Sequence, residues 1–481
     1  MESTSGKLVL RVRSKSGILL PATGAQPAGN SPVFTSALAA PSDPPTWGLE
    51  EAIWFGSNRY RPVRIAQEEV DLAQMKTHEA RRALYPVATL KFSWTTGTAS
   101  NVDFREYTAG LQLEQPLFYS GRLIEAYRQS LVNLQVAEKR QGKVKADYGV
   151  ELAEQYYQYI GAKASRAAQG GLVAEAERFR DQAKARFDKG LLTRLEVLNI
   201  EAQLNQARFQ LANSENDLVL SRLKFIQKLG LEANSQLVEV ADEFPTPQLH
   251  EIDPEEAVKL ALQHKPDIQV NRLLVSFHEY ERQIAEDKMK LKVDLSGFFG
   301  SSASAFETEP LDAGDDYFIG FKASRPWGAN SATASVTKTK TSPRLGQTTR
   351  TDSTVWSTEV GILDQMQGLS EIQQAQVNLD KARRDLEDAK NSSVQEANEA
   401  IISYRKASLQ LGYARQKIAF REEQVKILKA QASVNEALPS QVLEAIMRLA
   451  DEKAGQAQAL STYHVSLAKL NKAIGLVGHY K

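Results

Sequence analysis

The chain has 481 residues, 59 of them basic and 59 acidic, with no cysteine and a formal net charge of zero. That balance gives no support to a nucleic-acid partner, which favours a strongly basic face, and the missing cysteine excludes disulfide staples, thiolate metal sites and cysteine nucleophiles. No run of roughly 18 apolar residues occurs, which excludes a transmembrane helix but leaves a transmembrane barrel open, since its signal is alternation and is weak in each segment.

Residues 1–46, rich in Ser, Pro, Ala and Gly, read as a flexible extension, with Ala37 to Ala40 resembling a small-residue cleavage site. Paired acids at Glu50-Glu51 then open a helix, where they complement the helix terminus. Two strands come next. Ala88, Leu90, Phe92 and Trp94 alternate with polar residues, and so do Tyr107, Ala109, Leu111 and Leu113, each segment being long enough to cross a bilayer when tilted. Between Pro116 and Pro245 there is no proline, and the filling residues are strong helix formers. A helix from about Gly121 to Lys189 extends roughly 100 Å.

After a turn at Gly190, one apolar stripe runs Val197, Ile200, Leu204, Ala207, Leu211, Ser214, Leu218, Ser221, Phe225 in the alternating steps of three and four that a coiled-coil seam requires. A second stripe, displaced by two positions, runs Leu195, Leu198, Ala202, Asn205, Phe209, Ala212, Asn216, Val219, Leu223. Two seams predict two neighbours per helix, as in a ring or sheet of helices; a broad apolar face on a bundle helix is the plainer alternative.

The pattern then repeats. Lys184 to Gly230 aligns without gaps on Lys429 to Gly475 at an offset of about 245 positions, pairing Val197-Leu198 with Val442-Leu443 and Gly230 with Gly475. Glu50-Glu51 returns as Glu255-Glu256, and alternating segments return at Val293, Leu295, Phe299 and at Tyr317, Ile319, Phe321. The chain divides into the extension, a first repeat over 47–250, and a second over 251–481. The six histidines show no metal-ligand spacing, and neither a phosphate loop nor a nucleophile elbow is present, so neither catalysis nor a cofactor is expected.

The order of helix, strand pair ending in Gln115-Pro116-Leu117-Phe118, long helix, Gly190-Leu191 turn and return helix closing on Leu229-Gly230, given twice, resembles the outer membrane efflux protein family, the TolC-like channel-tunnels. The resemblance covers nearly all of residues 47–478. It implies an α+β membrane protein of the bacterial outer membrane: a homotrimer whose chains share one β-barrel in the lipid and one long α-helical barrel in the periplasm. It also implies a passive exit duct for small molecules or polypeptides, joined through a periplasmic adaptor (membrane fusion) protein to an inner-membrane pump, as in a tripartite efflux pump or a type I secretion system.

Several residues take roles from that resemblance. Leu90, Phe92, Trp94, Leu111, Leu113, Leu295, Phe299, Ile319 and Phe321 would face lipid. Gln441 and Glu444 fall where acids narrow the periplasmic entrance, and Gly190, Leu191, Leu192, Thr193, Leu438 and Pro439 form the turns that would meet the adaptor. The tyrosine and arginine that help lock the entrance in relatives align with Ala432 and Ala437, and the second turn glycine is replaced by Asn435. A structural coiled-coil protein that never meets lipid is the competing reading, and the alternating segments decide between the two.

The strand region of the second repeat is about 40 residues longer than that of the first, with a hairpin inserted near 327–363 around a turn at Ser342 to Gly346. Added to the wall, it would widen a trimeric barrel from the family's usual 12 strands to 18; otherwise it is an elaborated loop or flap. Against the wider barrel, Lys338 and Lys340 share a face with Ala332, Ala334 and Val336, and Asp352 shares one with Trp356 and Val360.

Overall fold

A computed structural model describes residues 46–99, 101–232, 239–306, 309–343, 345, 349–434 and 436–476. Nearly all of the expected N-terminal extension, Arg344 and Gly346 of the hairpin turn, and Asn435 lie outside the described residues. In chain order the elements are β1 (Thr46–Trp47), α1 (Leu49–Ser57), α2 (Arg61–Arg82), β2 (Val87–Ala99), β3 (Val102–Phe118), α3 (Arg122–Asp188), α4 (Arg194–Lys228), β4 (Glu239–Val240), α5 (Pro254–His264), α6 (Pro266–Lys288), β5 (Lys292–Phe306), β6 (Gly314–Trp327), β7 (Asn330–Thr341), β8 (Thr351–Gly361), α7 (Met366–Ser433) and α8 (Pro439–Ile474).

The same order of two helices, strands and two helices occurs twice, and the lengths match: α3 has 67 residues and α7 has 68, while α4 has 35 and α8 has 36. Within the described helices proline stands only at the first or second position, in α2, α5, α6 and α8, because a missing N–H costs nothing there. The long helices pack side by side in one layer, α4 on α3, α3 on α8 and α8 on α7. Toward the strands, α2 and α6 take the places of α4 and α8 against α3 and α7. Each level is therefore four helices wide, bounded by α7 on one side and by α2 or α4 on the other.

Two aromatic clusters anchor this layer. Around α3, Tyr148, Leu152, Tyr156, Ile160 and Phe225 are fully or almost fully buried beneath α1. Around α7 and α8, Ile401, Tyr404, Leu411, Tyr463 and Leu470 do the same beneath α5. A third, mainly aliphatic cluster holds the far end of the hairpins together, with Leu172, Ala176, Ile200, Leu204, Leu443 and Met447 in it. Alanine predominates along the helix interfaces because small side chains let long helices approach closely over many turns.

β1 and β4 make a short parallel pair, and the other six strands form one antiparallel sheet in the order β2-β3-β5-β6-β7-β8. The two repeats meet at β3 and β5, where Gly110 lies opposite Gly300; a Cβ on either would collide with the other's backbone or with the Phe298 ring. The inserted hairpin is thus neither loop nor flap. β7 pairs with β6 through Tyr317 opposite Lys340 down to Trp327 opposite Asn330, and β8 pairs with β7 along its whole length.

Candidate barrel wall and helical entrance

Cross-strand register decides which side chains share a face. Leu90, Leu111, Phe299 and Tyr317 lie in one row; Leu113, Gly297 and Ile319 in a second; Leu295, Phe321, Val336 and Trp356 in a third. Phe92 and Trp94 stand on the same side as Leu90, since residues two apart share a face. All nine residues singled out as lipid-facing therefore occupy one face of the sheet. Most are exposed there, and Trp356 is 79% exposed. The opposite face carries Lys91, Gln112, Glu114, Asp294, Ser296, Lys322, Ser335 and Glu359, a polar lining broken by the stacked Phe298 and Phe318. A sheet that is greasy on one side and wet on the other, with no described helix packed over either side, suits a wall between lipid and water.

The helical hairpins end at two turns. Past α3, Gly190 adopts φ +69, its N–H donates to Phe187 O (2.8 Å), and Leu191 N–H donates to Arg186 O (2.9 Å). This double closure requires a left-handed residue at Gly190. Thr193 then caps α4, its hydroxyl accepting from Glu196 N–H at 3.3 Å. At the second turn Glu436 N–H closes on Gln431 O (2.9 Å), and Leu438 N–H donates to Gln441 Oε1 (3.1 Å) just before Pro439 opens α8. Of the apolar turn residues, Leu191 is 73% exposed and Leu438 half exposed, whereas Leu192 packs against the cluster that joins the two hairpins.

Glu444 does not stand alone. It lies one turn from Arg448 on α8, with Oε1 2.5 Å from a guanidinium nitrogen and both side chains about half exposed. Ala432 and Ala437 are half-buried, and other polar contacts join the two hairpins. The Glu196 carboxylate is only 8% exposed and accepts the backbone N–H of Ser440 at 2.9 Å, so an acid of α4 caps the start of α8. Lys429 of α7 also reaches Glu175 of α3 at 2.9 Å. Sequence reasoning passed over Glu196 as a function-bearing residue. The signal was present: Thr193-x-x-Glu196 is a capping-box spelling, and its counterpart 245 positions on is the uncharged Gln441.

The edges of the helical layer are the remaining open surface. The first stripe of α4 is buried against α3, from Ile200 and Leu204 to Phe225. The second stripe is not: Leu195, Leu198, Phe209 (67% exposed), Val219 and Leu223 face outward. α2 continues it with Ile65, Leu72 and Met75, and α7 carries a matching exposed stripe on the far side, with Ile402, Leu409 (75% exposed), Tyr413, Phe420 and Ile427.

Comparison with known proteins agrees with this geometry. Residues 58–231 match the family model described as outer membrane efflux protein. Those residues are an outer membrane efflux protein domain. Comparison with curated protein sequences gave no match. Among solved structures, the chain is similar to the CmeC outer membrane channel of Campylobacter jejuni, with a TM-score of 0.70 at 13% identity over 90% of this chain and 87% of that one. It is also similar to a membrane protein from Pseudomonas aeruginosa, with a TM-score of 0.69 at 16% identity over 89% and 93%. VceC of Vibrio cholerae gives 0.67 at 16% identity over 89% and 96%. The outer membrane efflux protein domain thus sits in a chain whose whole described body has the TolC-like channel-tunnel fold.

Proposed function

We propose that this chain is one of three identical subunits of an exit duct in the bacterial outer membrane, with strands in the lipid and helices reaching through the periplasm. The observation that carries the reading is the pair of open edges. A single chain leaves a long apolar stripe on α4 and α2 at one side and on α7 at the other, and leaves the outer edge of β2 and of β8 unpaired among the described residues. The two sides differ, so head-to-tail association of copies satisfies both at once and generates a ring, which closes without leaving a strand edge. A structural coiled-coil protein of the aqueous phase would have no use for an uncovered apolar sheet face.

In this duct the nine apolar wall residues face lipid, and Gln441 and Glu444 lie at the periplasmic mouth. The turns at Gly190 to Thr193 and at Leu438-Pro439 meet a periplasmic adaptor that joins the duct to an inner-membrane pump. The channel is passive, and the exported cargo is a small molecule or a polypeptide. Extraction of membranes gives the test: the protein should require detergent and run on an unheated gel as a trimer that heat converts to monomer. A monomer soluble without detergent would sink the reading.

A further inference from the structure

The hairpin of β7 and β8 changes the size of the wall. We propose that each chain contributes all six strands to the barrel, and that three copies close a wall of 18 strands by pairing β8 of one copy with β2 of the next. The inference rests on the trimeric duct reading and adds the strand count and the closing seam.

Three observations carry it. First, the hairpin is fastened at both ends. At the helical end Asn330 Oδ1 accepts Leu363 N–H (3.0 Å), Ser331 Oγ donates to Asp364 Oδ2 (2.5 Å) and Gln365 N–H donates to Ala329 O (2.9 Å). At the outer end the buried Asp316 accepts Ser342 N–H (2.6 Å) and Ser342 Oγ (2.7 Å), and it also accepts the Ser302 hydroxyl of β5. Second, the strand length is right, since β7 has 12 residues and β8 has 11, each enough for a tilted crossing.

Third, the register answers the objection raised by the charges. A row that starts at Leu90, near the helical end of β2, climbs through Leu111, Phe299 and Tyr317 to Lys340 and Asp352, at the outer ends of β7 and β8. The stagger is the shear that barrel closure demands. Lys338 and Lys340 therefore sit at the outer rim, and below them Ala332, Ala334, Val336, Trp356 and Val360 continue the apolar band.

The seam is of the ordinary kind. β8 runs toward the helices and β2 away from them, so they meet antiparallel like every other pair in the sheet. Because the chain has no cysteine, the seam can be read by disulfide capture in membranes. Ser353→Cys or Ser357→Cys on β8 is combined in one chain with Thr89→Cys or Ser93→Cys on β2, all on the polar face. Within one sheet the two edges lie five strand spacings, roughly 24 Å, apart, so any disulfide joins two copies. The expected result is a ladder of covalent dimer and trimer from at least one of these pairs, and none when Lys322→Cys on β6 replaces the β8 cysteine. Links from β6 to β2, or no β8–β2 link in a protein that still runs as a heat-sensitive trimer, would overturn the 18-stranded wall. Loss of the trimer in the cysteine-free parent would instead overturn the duct itself.

Discussion

Glu196 shows how a single side chain can tie two hairpins together. Its carboxylate sits at the start of α8, where unpaired N–H groups concentrate partial positive charge, and it takes the Ser440 amide out of competition with water. Leaving that buried donor unpaired costs about 1–3 kcal/mol. Glu196→Ala should therefore speed hydrogen exchange of the Ser440 amide by about tenfold, the equivalent of ~1.4 kcal/mol of local opening, while Glu196→Gln keeps an acceptor and changes it less. Unchanged exchange in Glu196→Ala would show that the contact does not persist in solution. Glu444 reads differently once Arg448 is seen beside it. If three such pairs line the duct mouth, Glu444→Gln uncovers Arg448 and should shift single-channel selectivity toward anions, and Arg448→Gln should shift it toward cations. No shift in either variant would place the pair outside the lumen. His464 supplies an acid-sensitive point. Burial, opposed in part by the bond from its Nε2 to Pro245 O (3.2 Å), holds its pKa below the ordinary value of about 6.5 while it stacks on Tyr157. The unfolded chain then takes up this proton first, so the contribution of His464 is fully present above about pH 6.5 and is lost as pH falls from there through the lower folded value. His464→Gln should flatten the fall in the urea midpoint over that window, and an identical slope in the variant would count against the assignment.

At the scale of the element, helix length and helix stripes carry separate information. The lengths of α3 and α7 follow from local chemistry, since proline is absent and good helix formers fill the gap. The stripes follow from packing. One seam of α4 is buried within the chain and the other is open, so a charge on the open seam should spare the folded chain and break assembly. Phe209→Asp and Leu409→Asp, on opposite edges, should each abolish the heat-sensitive trimer while helical content by circular dichroism is retained. Leu191→Asp at the hairpin tip should keep the trimer and lose export, because Leu191 is exposed away from either edge stripe. A trimer that survives both edge substitutions would mean the open stripes are not interfaces. Leu192, adjacent in sequence, belongs with the core and should fail by misfolding, a distinction that two neighbouring leucines do not reveal until the turn geometry is known.

For the whole molecule, the salient property is incompleteness. Among the described residues, two helical edges, the outer edges of β2 and β8 and one apolar sheet face are left uncovered by the single chain. In the proposed trimer folding and association are coupled, and the thermal midpoint should rise with protein concentration in detergent, as mass action requires when the folded state is an oligomer. A midpoint independent of concentration over a hundredfold range would speak for a self-sufficient monomer.

The amino-acid sequence alone determined the duplication, the long helices, both seams of α4 and the two faces of β2, β3, β5 and β6. All of these are written in local periodicity, with steps of three and four for helices and of two for strands. It also displayed the apolar turns at Leu191 and Leu438. What the tertiary structure decided depends on which distant segments meet. That Ala332 to Val360 extend the sheet turned on pairing between β6 and β7 and on the climb of each row, which moves Lys338 and Lys340 to its outer end. No local pattern encodes that, because register is set by neighbours and by shear around the sheet. Likewise the pairing of Glu444 with Arg448 was open to reading at a spacing of four. The pairing of Glu196 with Ser440 was not, since 244 residues separate them and only the meeting of the hairpin ends, at the starts of α4 and α8, brings them within hydrogen-bonding distance.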